Sequence, residues 1–269
     1  MKPSHLILIV VFSVLVPLSC AKVPFTGRKQ LKLLPETFMT SMALTQYKEF
    51  LTQKPAAQNA DADMVRRVGD RIRRAAEVYY TANGLQKRLA DFQWEFNLVN
   101  DPTVNAWCMP GGKVVVYSGI LPVAKNEDGL AVVMGHEIAH ALARHGNERM
   151  SQQLSAQLGG MGLEVALRDK PAETRQIFEQ AYGVGVQVGA LLPFSRLHES
   201  EADKIGLYLM AIAGYDVNEA APFWQRMQAK GGQTPPEFLS THPSPETRAE
   251  NLKKWAPEAK ALATKYKLP

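Results

Sequence analysis

The sequence predicts an α+β fold, mostly helical, with a small β-sheet beside a helix that carries His136-Glu137-Ile138-Ala139-His140. Three observations point there: apolar residues recur at three- and four-residue spacing over long stretches, one short run alternates, and two apolar runs flank Pro110-Gly111-Gly112. Hydrophobic residues make up 46% and charged residues 21% of the 269, which excludes a disordered chain. The net charge of +5, or +4 without Lys2, is too small to argue for nucleic acid. No internal repeat or low-complexity block interrupts the chain.

From the N-terminus, Lys2 precedes an apolar run from Leu6 to Leu18, short for a membrane span and suited to the core of a secretory signal. Cys20 follows Leu18-Ser19. This pattern fits lipoprotein processing, with Cys20 as the lipidated first residue, and also ordinary cleavage after Ala21. The expected organisation is a leader at 1–19, a tether and first helix at 20–60, and the main domain at 61–269. If Cys20 is lipidated, its acyl chains anchor the protein by ~0.8 kcal/mol per buried CH₂.

After a polar turn from Pro55 to Asp61, Met64, Val68, Ile72 and Ala75 or Ala76 mark a helix. Its arginines, Arg66, Arg67, Arg71, Arg73 and Arg74, form the wet face or a contact with anionic lipid. Phe92, Trp94, Phe96 and Leu98 alternate with polar residues, as a half-buried strand does. Asn105–Met109 and Lys113–Tyr117 then read as a hairpin around Pro110-Gly111-Gly112. Asn126, Glu127 and Asp128 cap a helix in which Leu130, Val133, Met134, Ile138 and Ala141 recur at helical spacing. The segment from Met150 to Leu192 is glycine-containing, which suits a mobile cover or close helix packing, and Ala181–Phe194 reads as a buried or lid-like helix. Phe223-Trp224 and Met227 suggest a further helix, and Gly231–Pro236 a loop.

The chemistry is carried by H-E-x-x-H. At 3.6 residues per turn His136 and His140 stack on one face, where both imidazoles can hold one Zn²⁺, and Glu137 beside them can take a proton from water that the cation acidifies towards pKa ~7. With six histidines in the chain, a chance occurrence is on the order of a one per cent event. Zinc needs a third protein ligand. The metzincin spacing fails, because Ala143 and Gly146 stand where that pattern has Gly and His; His145 points off the metal face and reads as packing or capping. The gluzincin spacing takes a Glu from a later helix. Glu199 and Asp203, four apart, can supply that ligand and a carboxylate that orients an imidazole. His198 and Glu201 lie off their face and read as solvent or packing residues.

H-E-I-A-H followed by Phe194-Ser195-Arg196 and Glu199-Ser200-Glu201-Ala202-Asp203 resembles the HtpX/BepA/LoiP group of bacterial zinc endopeptidases and the related mitochondrial OMA-type proteases. Val23-Pro24-Phe25-Thr26-Gly27-Arg28, Asn105-Ala106-Trp107 and Thr241-His242-Pro243-Ser244-Pro245 with Arg248 extend the likeness over roughly residues 23–252. The resemblance implies a zincin, minigluzincin-like fold with one Zn²⁺ per chain. It makes His136, His140 and Glu199 the metal ligands, Glu137 the catalytic base and Asp203 the orienting group, and it marks Asn105–Met109 as the edge that receives substrate. It also makes His242 a possible regulatory ligand at the fourth zinc position, against a plain surface loop, and Arg248 a site neighbour. The lipidated starts of such proteins favour Cys20 as the anchor, and Ala21 after it suggests the outer membrane.

The expected activity is therefore a zinc endopeptidase facing the periplasm that degrades unfolded or misassembled envelope proteins. The competing reading is a zinc-stabilised chaperone or assembly factor that binds peptides without cutting. Cys108 is then a spare thiol, read as a small buried hydrophobe.

Overall fold

The computed structural model describes residues 20–168, 172–186, 192–230, 237–242, 247–266 and 268. The chain divides into two compact units, one of residues 1–36 with 144–195, the other of 37–143 with 196–269.

In the first unit, strands β1 (Cys20–Lys22) and β2 (Lys29–Leu31) pair antiparallel across a turn in which Phe25 and Gly27 adopt positive φ. Two helices follow later in the chain, α5 (His145–Leu167) and α6 (Ala172–Val186). The hairpin is fastened to α5 by Arg28, whose guanidinium donates to both carboxylate oxygens of buried Glu148 at 2.8 and 2.7 Å, and by Leu33 N–H on Ser151 Oγ at 2.9 Å. Bidentate geometry of this kind holds a buried carboxylate firmly. Gly159 lets the two helices approach. A Cβ there would fall 2.3 Å from the Tyr182 hydroxyl, which instead donates to Ala156 O at 2.8 Å. At Gly159 this contact supports close packing, whereas Gly162 and Gly183 have no neighbour within 4 Å of an added Cβ.

The second unit holds a three-stranded sheet in the order β3 (Glu95–Val99), β5 (Lys113–Tyr117), β4 (Ala106–Met109). The expected hairpin is β4 and β5, antiparallel, with Gly111 and Gly112 at φ +88° and +82°, where residues with a Cβ are strained. β3 runs parallel to β5, so β5 is central, and all five of its residues are buried. The strand expected over Phe92–Leu98 begins only at Glu95. Phe92, Trp94 and Phe96 form a half-buried aromatic ladder with centroids 4.8 and 6.0 Å apart, and Gly112 accommodates the Trp94 ring.

Helix α1 (Glu36–Gln53) covers the sheet through Tyr47, Phe50 and Leu51, which pack on Val99, Val115, Tyr117 and Trp107. Helix α2 (Ala60–Ala82) buries Val65, Val68, Ile72, Ala75 and Ala76; Arg66, Arg67, Arg73 and Arg74 pair with nearby acids, whereas Arg71, expected on the same wet face, is half-buried and donates to Ala213 O at 2.7 Å. Asn59 caps it, accepting from Ala62 N–H. After a short α3 (Leu121–Ala124) comes α4 (Glu127–Leu142), capped as expected by Asn126 on Gly129 N–H. It is apolar on nearly every face, as a central helix must be, and packs on α2, β4 and α3. The unit closes with α7 (Leu192–Ile212, from residue 196 onward), α8 (Ala220–Ala229), α9 (Glu237–Thr241) and α10 (Arg248–Ala263). Ala181–Phe194 is divided between the end of α6 and the start of α7, residues 187–191 lying outside the described residues, as does the expected loop from Gly231 to Pro236. No described helix is long and apolar enough to cross a membrane.

Candidate metal centre

α4 presents His136 and His140 one turn apart, with ring centroids 4.6 Å from each other. α7 brings Glu199 to them: its carboxylate oxygens stand 3.3 Å from His136 Nε2 and 3.4 Å from His140 Nε2. A fourth donor arrives from the end of α9. His242 Nδ1 lies 3.0 Å from Glu199 Oε1 and 3.3 Å from His136 Nε2, and the two α4 nitrogens are 3.1 Å apart. These four residues are a group able to hold a metal ion.

The geometry fits one small cation. A tetrahedron with metal–ligand bonds of about 2.0–2.1 Å has edges of about 3.3–3.4 Å, close to the separations between these nitrogen and oxygen atoms. The donor set fits too. Three imidazoles and a carboxylate suit a divalent ion of borderline softness, and lone pairs this close repel unless a proton or cation lies between them. Burial and the Arg248 guanidinium push the His136 imidazolium down, but Asp203 and Glu199 outweigh them and raise it to about 9. Burial likewise raises Glu199, and the surrounding imidazoles outweigh it and hold the carboxyl well below the usual range. A cation held by these residues would displace the proton that Asp203 and Glu199 favour on His136.

Around the donors stands a buried support. Asp203 Oδ1 is 2.9 Å from His136 Nδ1, so the ring donates there and turns Nε2 towards Glu199. Asp203 also accepts from Arg248 Nη2 at 2.6 Å. Arg248 is fully buried, with its guanidinium carbon 3.3 Å from the centre of the Trp224 ring. A desolvated cation–π contact of this sort contributes on the order of 2 kcal/mol, and it offsets part of the cost of burying the charge. Phe238 stacks on the His242 ring at 4.5 Å and 21°. α9 is tied to the sheet by Asn105 Nδ2 on Glu237 Oε1 at 2.9 Å and Phe238 N–H on Val104 O at 3.3 Å.

Glu137 is buried beside the cluster. Its Oε1 makes no hydrogen bond among the described residues, and His242 Nε2 is 3.5 Å away. β4 is an edge strand packed against α4. On it, Cys108 is half-buried, and burial together with the Glu137 carboxylate pushes its thiol well up, which disfavours the thiolate.

His136, His140, Glu199 and His242 thus come together, with Glu137 and Asp203 in contact with members of the group. His145 instead opens α5 in the other unit. His198 and Glu201 are buried, so of the two readings, solvent or packing, the solvent one does not hold. The position of Arg248 beneath Trp224 was not readable from spacing. Nor was the close approach of Gly135 to Gly206, whose one signal is a glycine in mid-helix on each of the two donor-bearing segments.

Residues 66–256 match the model of peptidase family M48. The chain is 38% identical over 216 residues to mitochondrial metalloendopeptidase OMA1 of Schizosaccharomyces pombe, covering 77% of this chain and 62% of that protein. It is 30% identical over 245 residues to metalloendopeptidase OMA1, mitochondrial, of Homo sapiens, covering 88% and 46%. To the beta-barrel assembly-enhancing protease of Escherichia coli it is 32% identical over 174 residues, covering 63% and 36%. The chain thus spans between about a third and under two thirds of these relatives' length. The match over residues 66–256 takes in both histidines of H-E-x-x-H, Glu199 and His242, and on it the chain belongs to peptidase family M48.

Proposed function

We propose that this chain is a zinc-dependent endopeptidase that cuts unfolded or misassembled cell-envelope proteins. The observation that carries the reading is the convergence of His136, His140 and Glu199 beside a buried Glu137 oxygen that has no hydrogen-bond partner among the described residues. Bound at these three residues, Zn²⁺ supplies Lewis acidity, lowering the pKa of water towards ~7 and polarising a peptide carbonyl. The chain's own groups do the rest. Glu137 Oε1 accepts the proton of the attacking water and returns it to the nitrogen of the leaving amine as the C–N bond breaks. Asp203 keeps the His136 ring in one tautomer. An extended substrate segment pairs with the free edge of β4, bonding through its main chain and therefore accepting many sequences. His242, within 3.0 Å of Glu199 and 3.3 Å of His136, would be a fourth ligand, and as such it would have to leave for water to enter.

Glu137→Gln tests the activity. It keeps the shape and the ligands but cannot take a proton, so cleavage of a casein-like unfolded substrate falls by about 10²–10⁴-fold with zinc content retained. Chelation abolishes wild-type cleavage and added Zn²⁺ restores it. Equal loss of substrate in wild type and variant would sink the protease reading and leave the peptide-binding chaperone.

The proposed location is the periplasmic face of an envelope membrane, the outer one favoured, with Cys20 lipidated. The name of the Escherichia coli relative, beta-barrel assembly-enhancing protease, is compatible with this, whereas the OMA1 relatives are mitochondrial. Residues 1–19, the expected leader, lie outside the described residues. Cys20→Ser should move the protein from the membrane to the soluble fraction on cell fractionation. Membrane retention of the variant would remove the anchor.

A further inference from the structure

We propose that Gly135 and Gly206 are positioning residues that set the separation of the two donor-bearing helices, and so the geometry of the metal centre. The inference rests on the zinc reading above. Gly135 lies in mid-α4, directly before His136. Gly206 lies in mid-α7, three residues after Asp203 and seven after Glu199, hence about one and two turns along the same helix. A Cβ added at Gly206 would come 2.9 Å from the carbonyl carbon of Gly135 and 2.9 Å from the backbone nitrogen of His136. One added at Gly135 would come 3.1 Å from the carbonyl oxygen of Gly206.

The obstructing atoms are main chain, which cannot rotate aside as a side chain would. Ordinary carbon contacts need about 3.5–4.0 Å, so a methyl at Gly206 would force the helices apart by roughly 0.5–1 Å. Metal–ligand distances tolerate only about 0.2 Å. The shift would act on the pairs that join the helices: Glu199 to His136 and His140, at 3.3 and 3.4 Å, and Asp203 to His136, at 2.9 Å. Glycine in mid-helix weakens the helix relative to alanine, so two of them meeting beside the donors favour a close crossing over helix strength. The buried, unbonded Glu137 oxygen, one residue beyond His136, is an independent sign that a ligand belongs at this crossing.

The test compares the full chain with Gly206→Ala, Gly135→Ala and, as a control, Gly69→Ala. Gly69 is also tightly packed, its added Cβ meeting the Phe96 ring at 2.3 Å, but its helix α2 supplies no donor. Zinc affinity is measured by competition with a chromophoric chelator, and Tm is measured in metal-free and zinc-loaded protein. Gly206→Ala should bind Zn²⁺ about tenfold or more weakly, as the loss of an orienting contact does, and its zinc-induced rise in Tm should shrink by about 3–5 °C. Gly135→Ala, with the longer contact, should show the same change in smaller measure. Gly69→Ala should lower both Tm values together and keep wild-type affinity. If Gly206→Ala does not fold, Gly135→Ala decides. Wild-type zinc affinity in both variants, or a loss of Tm that zinc does not modulate, overturns this proposal alone. A wild-type chain that takes up no zinc overturns the metal reading and this proposal with it.

Discussion

His242 differs from the other three donors in what holds it. His136, His140 and Glu199 sit within regular helices, whereas His242 follows directly after the five-residue α9, steadied by the Phe238 stack and the Asn105–Glu237 bond. A donor carried outside the long helices can leave while they stay folded. If the seated and open states are populated about nine to one, His242→Ala should raise cleavage of an unfolded substrate roughly tenfold with zinc content unchanged. A fall in rate with the metal retained would make the imidazole an assistant to the reaction instead, and loss of the metal would make it an obligatory ligand. The i,i+4 pairs His136/His140 and Glu199/Asp203 were legible because helical period alone places each pair on one face. His242 was legible only through its likeness to a family motif, since its approach to Glu199 depends on where α9 docks. Arg248 was legible as a site neighbour only through the same likeness, and its role was not: nothing in its neighbours announces burial beneath Trp224, 24 residues away in sequence and 3.3 Å in space.

Among the elements, those with local signals matched their expectations most closely. Asn126 with Glu127 and Asp128 located the start of α4, and two glycines at positive φ located the turn between β4 and β5. β3 was misjudged in extent because alternation in Phe92–Leu98 reports half-burial, which an aromatic ladder that begins ahead of the strand, at Phe92 and Trp94, produces as well as a strand does. Its parallel pairing with β5 had no local signal at all, because parallel neighbours are set by the crossover between them and not by a turn. That pairing makes β5 central and leaves β4 on the edge. The position of the proposed substrate strand therefore follows from tertiary contacts that no single segment encodes.

For the whole molecule, the division into two units separates the donors from the α5 and α6 helices. All four donors, with Glu137, Asp203 and Arg248, belong to the unit of 37–143 and 196–269, although three chain crossings join it to the other. This discontinuous arrangement was not foreseen from a sequence that suggested successive segments, because contact partners as distant as Arg28 and Glu148, 120 residues apart, leave no trace in local pattern. It has a thermodynamic consequence. A bound ion protects only those backbone amides whose exchange requires the site to open, since it stabilises the closed state by its binding free energy and leaves other openings untouched. Hydrogen exchange followed by mass spectrometry, with and without Zn²⁺, should therefore show slower exchange in Ala131–Leu142, Glu199–Ile212 and Ala220–Ala229. Exchange in the α5 and α6 helices should be unchanged. Equal protection in both would mean that the two units open together. The metal would then report on the stability of the entire chain and not on that of the unit that binds it.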